Sequence, residues 1–259
     1  MPLIRENAYY SKASYDDWMA TFFSYDFSRH SKTKDFHRFR KVFQAILQRS
    51  GEPLNLTTLA AKAGVNRKMA SAIVHRLADL CAVSLLEPYH HEEPSQPGRE
   101  ATSTPLLYAC DTGLVCRVMG WNEDDDDLKN HLWRHVVLEY LQAQGKAEIG
   151  YWRGTRGDRI DFVVRRASGA VDAVLCRWGN DTQESDFLAV KAFRAVHPQG
   201  TNYLLTSQDP LPSSRKQERH GKTVHLRELS EFGSHPVNGD GASRRLRAPI
   251  GGRPAGDSE

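Results

Sequence analysis

Near residue 145 the apolar side chains change their spacing, and this change limits the possible fold more than any other feature of the chain. Upstream, Phe36, Phe39, Phe43 and Leu47 recur at helical intervals, and Val42 and Ile46 widen the stripe. Downstream, short stretches at 149–153, 160–164 and 171–178 alternate or run apolar as strands do. Gly154-Thr155-Arg156-Gly157 and Ser168-Gly169 separate them as turns. A helical half followed by a strand-rich half implies an α/β chain.

The helical half has internal punctuation. Gly51 stops the helix that Asp35 opens, and Pro53 follows. Asn55 can cap a second helix over 56–63, Gly64-Val65 makes a tight turn, and Asn66 can cap a third helix to about residue 81. In that third helix Met69, Ile73, Leu77 and Leu80 point inward. Two short helices about a glycine turn, after a longer helix, match a helix-turn-helix. The strands expected at 83–89 and 106–110, with the polar loop between them, would form its wing. Asp111 can then cap a helix over 112–119. The aromatic-rich residues 1–34 carry a short helix over 17–28 that packs onto a neighbour or onto a partner.

Further on, the aspartates of 122–127 read as solvated charge at the start of a helix over 128–144, where negative side chains are favoured. A helix over 187–196 and strands at 202–205 and 223–226 follow. From residue 233 the chain is rich in Gly, Pro, Ser and Arg, the composition of a disordered tail. The expected units are therefore 1–34, 35–120, 121–232 and 233–259.

Composition narrows the function classes. A formal net charge of +3 over 259 residues excludes a whole-molecule basic field, so any nucleic-acid footprint must be local. The four cysteines form no Cys-x-x-Cys pair, which argues for reduced thiols in a cytoplasmic protein. The start of the chain lacks the apolar core of a signal peptide, and no stretch is long enough for a membrane span. His131 and His135 stand four residues apart on one helix, but Leu132, Trp133 and Arg134 lie between them where a metalloprotease motif needs a glutamate. No metal and no cofactor are expected.

The order helix–strand–turn–strand–strand–helix–strand from residue 128 resembles the core of the PD-(D/E)xK nuclease superfamily. Particular phrases resemble a narrower family, the domain of unknown function 4143 that follows the motor domain of many prokaryotic AAA-type ATPases. Leu59-Ala60 with Gly64-Val65-Asn66 resembles its helix-turn-helix. Pro88-Tyr89, and Tyr108 with Asp111-Thr112-Gly113-Leu114, resemble its wing strands and the following cap. Tyr151-Trp152-Arg153, Gly157 and Asp161-Phe162-Val163 resemble its hairpin. The resemblance implies a winged helix-turn-helix followed by a nuclease-like mixed sheet of four or five strands with flanking helices.

The departures from the pattern bear on activity. In the superfamily a helix carboxylate, a strand aspartate and a Glu-x-Lys converge on a divalent cation. Here the corresponding positions are Arg134, Asp161, Leu175 and Arg177. Leucine offers no oxygen ligand, and an arginine of pKa above ~12 cannot act as a base. One carboxylate between two arginines reads as an ion-pair cluster, and no catalytic residue is expected. No phosphate-binding loop occurs either: His220-Gly221-Lys222-Thr223 contains Gly-Lys-Thr, but Lys216 stands where the first glycine belongs.

The outward face of the third helix carries Arg67, Lys68, Ser71 and His75, and Arg38, Arg40 and Lys41 lie on the first. A basic helix start of this kind can enter a major groove of double-stranded DNA. The expected role is a non-catalytic DNA-binding module, or one that docks a protein partner through the aromatic segment, with no membrane partner. The alternatives are a metal-dependent nuclease with a repurposed site and a decayed ATPase fragment without activity.

Overall fold

The protein is described by a computed structural model. It places residues 12–29, 35–89, 104–120, 124–145, 148–166, 169–180, 182–208, 215–229 and 232. The expected tail at 233–259 and most of the loop expected as the wing tip, 90–103, lie outside the described residues. The described residues form a mixed α/β structure of seven α-helices and two sheets.

The first sheet is the smaller. Helix α1 (Lys12–Phe22) runs into a π-helical turn (Phe23–Phe27), followed by α2 (Phe36–Leu47), β1 (Glu52–Pro53), α3 (Leu56–Ala63) and α4 (Arg67–Asp79). Strands β2 (Val83–Leu86) and β3 (Leu106–Ala109) are antiparallel, and α5 (Thr112–Met119) follows. The side chains of Asp35, Asn55, Asn66 and Asp111 each accept a bond from an amide three residues on, as helix caps do. Gly64 turns the chain between α3 and α4 at φ +66°, a conformation that favours glycine.

The aromatic segment is consumed by its own neighbours. Phe27 packs tilted against Phe39 at 4.5 Å between ring centroids, Phe23 lies 5.0 Å from the same ring, and Trp18 lies 5.9 Å from Phe43. Phe27 is fully buried and Tyr15 and Phe23 nearly so, while Tyr25 stays exposed. Of the two expectations for this segment, packing on a neighbour is the one its buried rings adopt. The helix starts at Lys12, ahead of the expected 17, and passes into the π-turn before 28.

The second sheet follows α6 (Asp126–Ala143), which Asp125 caps. It holds β4 (Glu148–Arg153), β5 (Arg159–Arg165), β6 (Val171–Arg177), β7 (Asn202–Thr206), β8 (Lys216–Arg219) and β9 (Lys222–Glu228) in the order 4-5-6-7-9-8. The pairs β6–β7 and β7–β9 are parallel and the others antiparallel. Six strands stand where four or five were expected. The added strand, β8, reads Lys-Gln-Glu-Arg and carries no apolar signal. It pairs with β9 through His220 and Gly221, both at positive φ, so the Gly-Lys-Thr phrase begins at a hairpin turn. Helix α7 (Glu184–Arg194) covers one face and begins three residues earlier than expected, because its first turn is polar and caps itself through Gln183 and Asp186.

Helix α6 belongs to both cores. Its Leu128 and Leu132 join the cluster built on α2 and α4, while Trp133, Val137 and Leu141 pack on the second sheet with Phe162 and Val174. A backbone seam adds to the join. Tyr89 N–H donates to the Tyr151 carbonyl at 2.7 Å and Tyr151 N–H to the Glu87 carbonyl at 3.1 Å. The chain beyond β2 thus lies along edge strand β4. Among the described residues no helix is long and apolar enough to cross a membrane.

Candidate functional site

A β-bulge decides where Asp161 points. Gly150 pairs with Val163 but Trp152 pairs with Ile160, so Asp161 and Phe162 together face Tyr151. Simple alternation would put Asp161 on the face of Val163, toward Phe187 and Val190 of α7. The bulge moves it to the α6 side, and Ile160 takes its place in the α7 cluster.

There Asp161 is 6% exposed and fully engaged. Its Oδ1 lies 3.3 Å from Arg134 Nε and 3.1 Å from Arg159 Nε. Its Oδ2 accepts the Cys176 N–H at 2.9 Å. The expected ion-pair cluster is present, but its second arginine is Arg159. Arg177 turns away and pairs with Asp186 at the start of α7, and Leu175 packs with Phe187 and Val190. Of the four residues that the nuclease resemblance would bring together, Arg134 and Asp161 meet while Leu175 and Arg177 face the other helix. Arg159 was findable from sequence, because residues two apart on a strand share a face.

Neighbouring carboxylates have partners of their own. Asp172 accepts from Arg166 Nε at 2.7 Å and from the Thr201 amide at 2.8 Å. Glu139 accepts from the Thr112 hydroxyl at 2.8 Å. Among the described residues no group of three or more His, Cys, Asp or Glu is placed to hold a metal ion.

Beside Asp161 a cleft open to solvent lies between the two sheets. Gly51, Leu106 and Tyr108 form one wall, His131 and Arg134 of α6 another, and Tyr151, Arg153, Arg159 and Ile160 the third. Burial raises the Tyr108 hydroxyl, and the Asp161 charge adds to the rise. Burial, with Arg134 behind it, brings His131 down to about 4. Its Nε2 is buried and has no hydrogen-bond partner.

Next to the pocket, His135 is a structural histidine. Its Nδ1 lies 3.0 Å from the His131 carbonyl, which can only accept, so Nδ1 carries the proton. Its Nε2 then accepts from the Ser50 hydroxyl at 2.7 Å, and Ser50 Oγ in turn accepts the Ala109 amide at 2.7 Å. Burial first, then His131, brings His135 down to about 3. The His131–His135 pair is thus a neutral packing pair, with ring centroids 4.9 Å apart.

On α4, Arg67, Lys68 and His75 are exposed and Ser71 is half-buried, while Ala70, Ile73, Val74 and Leu77 face the core. Met69 and Leu80, expected inside, are only partly buried. On α2, Lys41 is exposed and Arg38 is exposed but paired with the cap Asp35 at 3.2 Å. Arg40 is tied to Asp16 of α1.

The comparisons with known proteins concern the first half most directly. Residues 2–125 match the family model of a domain of unknown function, DUF8612. The DUF8612 match takes in the first sheet and its helices and ends at Asp125, the cap of α6. No curated protein matches the chain. Among solved structures, a half-complex of Thermococcus gammatolerans McrB AAA+ hexamers with bound McrC is similar at TM-score 0.32 and 10% identity, over 85% of this chain and 72% of that one. Human N-acetylserotonin methyltransferase with SAM is similar at TM-score 0.20 and 6% identity, over 86% and 67%. Neither likeness carries an argument at these scores.

Proposed function

We propose that the chain is a non-catalytic DNA-binding module, with α3, α4 and the β2–β3 pair acting as a winged helix-turn-helix. The carrying observation is α4. Its buried stripe leaves Arg67, Lys68, Ser71 and His75 on the opposite side, with both cations at the helix start and free of ion pairs among the described residues. In this reading α4 enters a major groove and Arg38 and Lys41 add phosphate contacts. The second sheet is read as nuclease-like, in keeping with the resemblance to family 4143. Its Asp161 is already ion-paired with two arginines and accepts an amide, which leaves a divalent cation no open carboxylate there.

The test is binding of the full chain to a labelled duplex, without metal, across a salt series. The reading expects affinity that falls steeply with salt. Reversing Arg67 and Lys68 to glutamate should abolish the complex, and unchanged binding would defeat the groove model. Cleavage of the duplex with Mg²⁺ or Mn²⁺ that disappears in Asp161→Ala would defeat the non-catalytic part.

A further inference from the structure

The pocket beside Asp161 has a charge balance that an ion-pair cluster alone does not need. Three guanidinium groups, of Arg134, Arg153 and Arg159, line it together with one carboxylate. Three positive charges less one leave a surplus of two. Asp161 Oδ1 approaches each guanidinium nearest at Nε, at ion-pair distance, and the buried Arg134 Nε makes no hydrogen bond. The terminal nitrogens of Arg134 and Arg159 therefore keep their donors, and among the described residues none of these donors is used. The Arg153 side chain has no ion pair or hydrogen bond among the described residues either. His131 adds a buried Nε2 without a partner, and Tyr108 adds a hydroxyl that stays protonated.

We propose that this pocket binds a phosphomonoester dianion. A guanidinium fork matches the oxygens of a phosphate, and two of the forks here are held in place by a shared carboxylate. Asp161 is thus a positioning residue: its charge holds the Arg134 and Arg159 guanidinium groups by ion pairing at the wall of the pocket. The surplus of two charges equals that of a fully ionised phosphomonoester and exceeds that of a phosphodiester. The enclosed part of the site is small and the rest is shared with solvent, so a bound phosphate sits at its mouth with the ester in water. The source of the phosphate is either a free nucleotide or the phosphorylated end of a nucleic-acid strand. The site is separate from α4 and does not rest on the DNA reading.

The test follows the ¹H–¹⁵N signals of the arginine Nε groups in the full chain during titration with inorganic phosphate, against chloride at matched ionic strength. A saturable shift of the Arg134 and Arg159 signals with phosphate alone is expected. Arg153→Gln removes a group that holds no other side chain and should weaken binding about tenfold, the loss of one charge-assisted contact. Arg153→Lys should recover part of it. Titration with adenosine monophosphate and with a 5′-phosphorylated dinucleotide then separates the sources: a preference for either names the source, and equal affinity leaves the phosphate group as the whole determinant. A response to chloride equal to that for phosphate, or undiminished binding in Arg153→Gln, overturns the proposal.

Discussion

Asp161 joins two arginines and a sheet amide, so its loss leaves two partly buried cations unpaired. Asp161→Asn is expected to cost about 2–3 kcal/mol, less than a fully buried pair because Arg159 reaches solvent. Urea unfolding of the variant measures it. His135 makes a prediction in pH. Its folded pKa is lowered to about 3 from an ordinary 6.5, so its contribution is fully present above pH 6.5 and is lost as pH falls toward the folded value. Between pH 7 and pH 5 this one group should remove about 2 kcal/mol, with His131 adding in the same direction. His135→Asn should reduce the slope over that interval by roughly half, His131 supplying the rest, and an unchanged slope would show that the ring is not the cause. At this scale the sequence was half legible. Arg134 and Asp161 could be paired by position in the superfamily pattern, but the pattern assumes regular strands. The extra residue in β5 cannot be read from alternation, and it separates Asp161 from Leu175 and Arg177.

Between elements, the close approach of residues 87–89 to β4 depends on Gly150. A Cβ there would lie 3.0 Å from the Glu87 carbonyl and 3.2 Å from Tyr89 Cβ. Gly150→Val should push the two backbones apart and cost about 1–3 kcal/mol, with faster amide exchange at Tyr89 and Tyr151 as the local readout. Elements with strong periodicity or caps were legible: α2, α3, α4 and α6 begin within two residues of where their caps and apolar stripes put them. The misses have physical causes. Strand β1 is two residues long, β8 is wholly polar, and the first turn of α7 carries its cap before its apolar stripe begins at Phe187.

Across the whole molecule, α6 contributes to both hydrophobic clusters, so neither half can lose it and keep its core. Unfolding in urea should be a single transition. Fluorescence of a chain with Trp18→Phe and Trp121→Phe, which keeps Trp133, Trp152 and Trp178 of the second half, should coincide with far-ultraviolet dichroism, which reports on all the helices. Two separated transitions would mean that the halves fold independently. The seam along β4 has one more effect. A sheet exposes unpaired amides at its two outer strands, and those amides recruit strands from other molecules. Here residues 87–89 occupy part of one outer strand, and the other outer strand is four residues long and carries Lys216, Glu218 and Arg219. The second sheet is therefore poorly suited to templating aggregates or to capturing an extended peptide by strand addition.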